Sequence, residues 1–248
     1  MKKHSFIIML SSAVSVAAMA DSYQGEVSLG ATRVNSEFLE SDGKSYALSG
    51  SYYFSPVEVG SFPLAEAAYL GQKSRVYGSY LNVPSQNGIP SANGYAVGME
   101  IYIPENFVYF QLGASRFKMR DPYNSNNDWS ASVGLTPING LLVSTSYSQD
   151  AGYNPNVYAK YVTEVGGQYI NLEAGVADTD GLGTLSLIGG DYYFDETLSL
   201  GGKLQHSNDE DLYELRVRKF FTSSFSGGVI LEDGEEENSV TVNLSLRF

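Results

Sequence analysis

The sequence predicts an all-β protein, a single antiparallel transmembrane β-barrel of about 14 strands, with 12 or 16 as the alternatives. Three observations predict it. Apolar and polar residues alternate with a period of two along many short segments, the connections between those segments alternate between short and long, and the charges within segments keep to one parity.

The last segment is the clearest. From Ser239 to Phe248, the residues Val240, Val242, Leu244, Leu246 and Phe248 share one parity, and Thr241, Asn243, Ser245 and Arg247 share the other. A strand with that pattern shows one apolar and one polar face. The same alternation recurs in Tyr46, Leu48, Gly50, Tyr52 and Phe54, in Tyr95, Val97, Met99, Ile101 and Ile103, and in Val108, Phe110, Leu112 and Ala114. It continues through Trp129, Ala131, Val133 and Leu135, through Ile170, Leu172, Ala174 and Val176, and through Ile188, Gly190, Tyr192 and Phe194. Leu198, Leu200, Gly202 and Leu204 follow, then Tyr213, Leu215 and Val217, then Phe225, Gly227, Val229 and Leu231. Weaker strands near 23–33, 73–83, 141–148 and 157–165 complete the count.

Tight turns are expected at Pro104-Glu105-Asn106, Pro137-Ile138-Asn139-Gly140, Gly166-Gly167, Asp195-Glu196-Thr197 and Thr222-Ser223-Ser224. Longer polar loops alternate with them at 34–43, 84–92, 120–127, 149–156, 178–183, 207–211 and 232–238. Short turns at one end and longer loops at the other is the build of an outer-membrane barrel, with the turns in the periplasm. Residues 55–72 break the rule. They fall where a short turn is expected, and Pro63 to Leu70 reads as one or two helical turns. Aromatics gather beside the short turns: Tyr52-Tyr53-Phe54, Tyr102, Phe107, Tyr109, Tyr192-Tyr193-Phe194, Phe220, Phe221, Phe225 and Phe248. Such clustering at one height predicts an interfacial girdle.

In lipid every backbone N–H and C=O must be paired within the protein, so a spanning sheet has to close. On the polar parity lie Glu26, Lys73, Arg75, Glu100, Asp128, Lys160, Glu164, Glu173, Asp191, Lys203, Glu214, Arg216, Arg218 and Arg247, which predicts a charged, wet interior. A charge facing lipid at the bilayer midplane costs about 2–4 kcal/mol, which is the reason for the segregation. Arg116, Lys118 and Lys219 fall on the lipid parity, near strand ends where long side chains reach water.

The N-terminus has the layout of a secretory signal. Lys2, Lys3 and His4 form a basic start, Phe6-Ile7-Ile8-Met9-Leu10 begins an apolar run, and Ala18-Met19-Ala20 supplies small residues at Ala18 and Ala20 for cleavage. The expected organisation is therefore a cleaved segment over 1–20 and one barrel domain over 21–248. No later run of about 18 apolar residues exists, so helical spans are excluded. With 0 Cys there is no disulfide framework or thiolate metal site, and no cofactor is expected. The formal net charge of -13 disfavours a nucleic-acid partner.

The terminal Val-Thr-Val-Asn-Leu-Ser-Leu-Arg-Phe resembles the C-terminal signal read by the barrel-insertion machinery, which implies the Gram-negative outer membrane, its lipid and its lipopolysaccharide as surroundings. The stretch from Gly50 to Leu70, with Tyr52-Tyr53-Phe54 and Pro63-Leu64-Ala65-Glu66, resembles the putative general bacterial porin family of Gammaproteobacteria. Gly190-Asp191-Tyr192-Tyr193-Phe194 through Lys203 is similar to a second shared stretch. The resemblance implies location and architecture more directly than a solute.

The expected function is passive diffusion of small hydrophilic solutes or ions through the lumen, by a non-enzymatic porin. Candidate pore-lining residues are Glu26, Lys73, Arg75, Glu100, Glu173, Lys203, Arg216, Arg218 and Arg247. Arg75, Lys203, Arg216, Arg218 and Arg247 are expected along one wall of a constriction, opposite Glu26, Glu100 and Glu173. The acidic excess is expected in the loops (Glu37, Glu40, Asp42; Asp178, Asp180; Asp209, Glu210, Asp211; Glu232, Asp233, Glu235, Glu236, Glu237), as an anionic vestibule that favours cations. Loop 84–92, with Gly88 and Pro90, is a candidate inward fold. No segment after residue 20 is long enough for a separate plug domain, which favours an open bore, while pairing of charges across the lumen is the alternative. A structural, adhesive or receptor barrel is the rival reading. A barrel hydrolase is disfavoured, since His206 and Ser207 are strand neighbours that point to opposite faces.

Overall fold

The fold is a computed structural model that describes residues 22–36, 41–85, 90–120, 125–149, 155–179, 183–207, 210–235 and 237–248. The expected signal segment with Ala18 and Ala20, and the loop residues Glu37, Glu40, Gly88, Asp180, Asp209 and Glu236, lie outside the described residues.

The elements in chain order are β1 (Ser22–Ser36), β2 (Ser41–Glu58), α1 (Ala67–Leu70), β3 (Arg75–Val83), β4 (Ala92–Ile103), β5 (Val108–Met119), β6 (Ser125–Leu135) and β7 (Leu141–Ser148). They continue with β8 (Asn156–Val165), β9 (Gln168–Thr179), β10 (Gly183–Tyr193), β11 (Leu198–Ser207), β12 (Glu210–Thr222), β13 (Phe225–Gly234) and β14 (Glu237–Arg247). Each strand pairs antiparallel with its sequence neighbours, and β1 pairs with β14 to close the cylinder. The closing seam runs from Glu26 opposite Arg247 to Ser36 opposite Glu237. Closure leaves no edge strand, as lipid requires.

The facing follows the alternation. Val240, Val242, Leu244 and Phe248 are 45, 49, 38 and 64% exposed, so they pack no protein core. Across the seam Leu244 lies opposite Leu29, which lies opposite Leu48, in a continuous apolar belt. The turns follow residue chemistry. Gly166 and Gly167 take φ of 63° and 84°, the left-handed pair that a two-residue hairpin needs. Pro104–Asn106 forms a 3-10 turn with proline at its start.

Two expectations change. The strands run further outward than the alternation alone indicated. Asp42, Asp178, Glu210, Asp211, Glu232, Asp233 and Glu237 are strand residues rather than loop residues, because the ladders continue to hydrogen-bond beyond the apolar belt. The aromatic cluster beside the short turns is also not one girdle but two rings back to back. Tyr52, Phe54, Phe107, Tyr192, Phe194, Phe221 and Phe248 face outward, whereas Tyr53, Tyr109, Tyr193 and Phe220 point inward and are at most 4% exposed. Successive residues on a strand face opposite ways, so adjacent rings such as Tyr52 and Tyr53 had to separate. The inward ring surrounds a small buried cluster of Tyr23, Tyr53, Val57 and Ala67, with Val59 and Ala68 against it.

Candidate functional site

The connection between β2 and β3 explains that buried cluster. Residues 59–74 fold back into the barrel at the end where β1 starts and β14 finishes, and α1 lies inside the cylinder. Pro63, Leu64, Glu66, Ala67 and Leu70 are buried there. Only one turn of helix forms. Gln72 takes a left-handed φ of 45°, and Gly71 donates its N–H to Ala67 O to close the turn.

Bonds to four parts of the wall hold the segment. The Leu64 N–H donates to Glu196 O beyond β10 at 2.8 Å, and Arg247 Nη1 on β14 donates to Leu64 O at 2.8 Å. Glu66 accepts from Tyr193 Oη on β10 at 2.7 Å and pairs with Lys160 Nζ on β8 at 2.8 Å. Tyr69 Oη lies 3.0 Å from both Gly140 O and Lys160 O, and its ring sits 4.5 Å from Lys160 Nζ. Burial, then the neighbouring Glu66 carboxylate, pushes the Tyr69 hydroxyl well above the ordinary tyrosine range, so it remains a donor. A helical turn inside a bore is stable only when its polar groups find partners, and these strand ends supply them. The expected open bore rests on the lack of a segment long enough for a separate plug domain, and such a domain is not needed to occupy part of the lumen. A connection of fewer than twenty residues suffices, because it uses the wall as its core.

Above the segment is a cavity of about 420 Å³ lined by tyrosines and charges, among them Glu26, Lys73, Arg75, Glu100, Arg218 and Arg247. Most of the charges are paired with neighbours rather than facing one another across the bore. Arg75 Nε meets Glu100 Oε2 at 2.7 Å, Arg247 Nε meets Glu26 Oε2 at 2.5 Å and Lys203 Nζ meets Glu214 Oε2 at 2.6 Å. Each of these pairs consists of residues directly opposite in the ladder of adjacent strands. Arg216 joins three acids: Asp191 at 2.7 Å, Glu214 at 2.9 Å and Glu173 at 3.8 Å. The expected basic wall opposite an acidic wall is thus replaced by alternating signs around the ring, since cross-strand neighbours are the nearest partners a luminal charge has. Lys73 and Arg218 line the cavity with no carboxylate at ion-pair distance among the described residues.

At the outer end the strand acids divide by parity. Asp128, Glu210, Glu232 and Glu237 share the luminal parity, whereas Asp42, Asp178, Asp211 and Asp233 point outward. Only the first set faces the mouth. His206 Nδ1 contacts Asp211 Oδ1 at 2.8 Å on the outer surface, with Ser207 on the opposite face. Sequence reasoning passed over Glu66, Tyr69 and the inward aromatics as site residues. The available signal was the overlong connection on the side of the short turns.

The family model described as "Putative general bacterial porin" matches residues 1–248. The chain belongs to that family. This porin shares its fold with the crystal structure of the Acinetobacter baumannii outer membrane protein Omp33, at 20% identity and TM-score 0.77, covering 93% of this chain and 100% of that one. A multiply substituted mutant of the Rh. blastica porin is a looser match, at 10% identity and TM-score 0.50, covering 91% of this chain and 99% of that one. No curated protein sequence matches the chain. Family and architecture make it an outer-membrane porin with a multi-strand barrel in the Gram-negative outer membrane. The short turns and the Glu26–Arg247 end of the closing seam accordingly face the periplasm.

Proposed function

We propose that this porin passes small hydrophilic solutes and ions by passive diffusion, along a bore that the 59–74 segment narrows at its periplasmic end. One observation carries this reading, the reach of the segment across the cylinder. Its bonds run from Arg247 on β14 to Lys160 on β8, six strands away in a ring of fourteen. Luminal charges that are satisfied by neighbours leave a polar lining with little net preference. Selection by sign then falls to the outer mouth, where Asp128, Glu210, Glu232 and Glu237 raise the local cation concentration, more so at low salt. The non-enzymatic reading is supported by His206, which meets Asp211 on the outer surface while the neighbouring Ser207 points to the opposite face, out of reach of its help.

The test is single-channel conductance in planar bilayers for the intact chain and for a variant in which residues 60–72 are replaced by a short Asn-Gly turn. The shortened barrel conducts several-fold more than the intact one if the segment sets the resistance, and equally if it does not. Two non-conducting proteins would favour the second reading, a closed structural or receptor barrel, which the same segment also supports. Replacing Glu232 and Glu237 by glutamine shifts the reversal potential toward lower cation preference; an unchanged potential removes the vestibule from the account.

A further inference from the structure

The luminal charges do not all cancel. The cavity above the 59–74 segment is lined by five bases and three acids, and each acid is bonded to one of the bases. Glu26 pairs with Arg247, Glu100 with Arg75 and Glu66 with Lys160. Lys73 and Arg218 are left over, so the lining carries two positive charges in excess, in a chain whose formal net charge is -13. The ladder explains the surplus. Arg75 and Arg247 each have a glutamate directly opposite on an adjacent strand, whereas Arg218 on β12 has Ser199 on one side and Gly228 on the other. Lys73 precedes β3 and takes part in no ladder pair. The stretches that carry the two bases, 71–83 and 210–230, are described throughout. In the ring of strands, Lys73 just before β3 and Arg218 on β12 flank the Glu26–Arg247 pair of the seam. Both turn to the same space.

Shape narrows what that space takes. A volume of about 420 Å³ falls within the range of small-molecule sites, about 300–1,000 Å³, and is more than a bare inorganic ion fills. Tyr102 and Tyr158, both half-buried, line it, and the Tyr102 ring stands 5.0 Å from that of Tyr109 directly opposite in the ladder. A tyrosine presents a ring face to the C–H surface of a solute and a hydroxyl to its polar edge. A guanidinium binds a carboxylate through paired N–H donors, and a positive excess enclosed by protein walls raises the local anion concentration. An organic anion with a compact body meets these features together.

We infer that the chamber above the 59–74 segment is a transient binding site for a small organic anion of sugar-acid size, its charge held between Lys73 and Arg218 and its body against Tyr102 and Tyr158. The inference rests on the porin reading for the solute's route, since the bore is the way in. Acidic mouth and basic chamber then act in series: the mouth sets which free ions gather, and the chamber retains an anion that has passed it.

Saturation-transfer NMR on the purified porin in detergent measures the binding of three solutes of similar size, glucuronate, glucose and glucosamine, which are negative, neutral and positive. Glucuronate binds about tenfold tighter than either of the others. Lys73→Gln with Arg218→Gln removes that advantage, Lys73→Arg with Arg218→Lys keeps it, and Arg33→Gln at the outer rim leaves it unchanged. Heat-modifiable gel mobility shows that each variant is a closed barrel. The single Gln substitutions serve in place of the double one should it fail to close, each lowering the preference part of the way. Three results overturn the inference: an undiminished preference in the Gln variant, equal binding of glucosamine, or as great a loss in the charge-retaining variant, which assigns the effect to packing. Glucuronate added to a planar bilayer separates this inference from the porin reading. Binding by a barrel that passes no current supports the chamber and defeats the porin reading, whereas conduction without binding defeats the chamber alone.

Discussion

At the periplasmic end the inward face of the barrel is packed, whereas at the outer end the same strands send polar side chains into an open mouth. Tyr23, Tyr53, Tyr193 and Phe220 are each at most 4% exposed around the 59–74 segment. Glu210 and Glu237, near the outer ends of β12 and β14, are exposed. Period-two alternation makes both ends, because it decides only which residues face in. What an inward residue meets is decided by whether a connection folds back to cover it. One end of this barrel has become a small hydrophobic core with buried ion pairs, and the other has remained solvated wall.

Ion pairs at the two ends offer the sharpest test of that difference. Arg247 is 5% exposed, bonds Glu26 and Leu64 O, and stacks its guanidinium 4.5 Å from both the Tyr23 and Phe220 rings. Arg247→Ala leaves Glu26 without its partner and the segment without an anchor. Removing one member of a buried pair typically costs 3–5 kcal/mol, and the partial exposure of Glu26 brings the expected loss to about 3 kcal/mol. Arg33→Ala at the outer rim breaks the exposed pair with Asp42 and costs about 1 kcal/mol or less. Urea unfolding followed through the fluorescence of Trp129, the sole tryptophan, reads both. Equal losses would mean that the two ends do not differ as described.

Backbone positions divide in the same way. Gly140 has φ of 77°, its carbonyl accepts from Tyr69, and a β-carbon there would sit 2.1 Å from Val162 O. Gly140→Ala therefore strains the β6–β7 turn and tilts the seat of the segment, at an expected cost of about 2 kcal/mol. Gly30, in the wall of β1 where the nearest obstacle is the Ala47 methyl at 3.7 Å, accepts alanine within about 0.5 kcal/mol. The same unfolding assay ranks them, and a neutral Gly140→Ala would show that the packed end yields as readily as the open one.

A third contrast lies within the outer half itself. β7 pairs with β8 through only four residue pairs, Leu141 opposite Tyr161 to Ser144 opposite Tyr158. Beyond them the Asn156 carboxamide stands in for a peptide unit, accepting from Ser146 N at 2.8 Å and donating to Ser146 O at 2.7 Å. Asn156→Ala removes both bonds at an expected cost of about 1 kcal/mol. Faster amide exchange at Ser146, with β1–β14 unchanged, is the expected signature; unchanged exchange would mean the carboxamide is dispensable.

How much of this was legible follows from the range of each interaction. Inside and outside were readable because alternation is local: Val240 and Arg247 declare their faces without reference to other strands. Strand number and closure followed from the rhythm of connections. The ladder ends were misread at Asp42, Asp178 and Asp211, because hydrophobic patterning stops at the headgroups while hydrogen bonding does not. The luminal pairs and the role of Glu66 were hidden for another reason. Glu66 to Tyr193 spans 127 residues, and no spacing rule connects a connection to the wall it folds against.

The smallest expected effect concerns the turn that receives the segment, and it joins the packed end to pH. Asp195 Oδ1 accepts from Thr197 N and Thr197 Oγ1, each at 2.6 Å, and from Leu198 N at 2.8 Å. These donors, the Thr197 side chain first, hold the Asp195 carboxyl below the ordinary aspartate value. A group whose folded value is depressed stabilises the fold above its unfolded value and loses that contribution as pH falls through the folded one. The Asp195 turn therefore loosens only below the usual aspartate range. Because Glu196 O of the same turn anchors Leu64 N, loosening it frees one side of the segment. Single-channel records of the intact porin should become noisier in that acidic window, and Asp195→Ala should show the added noise already at neutral pH with little further response to acid. An Asp195→Ala channel as quiet as the intact one at neutral pH would detach the turn from the segment it touches, leaving Tyr193, Lys160 and Arg247 as its supports.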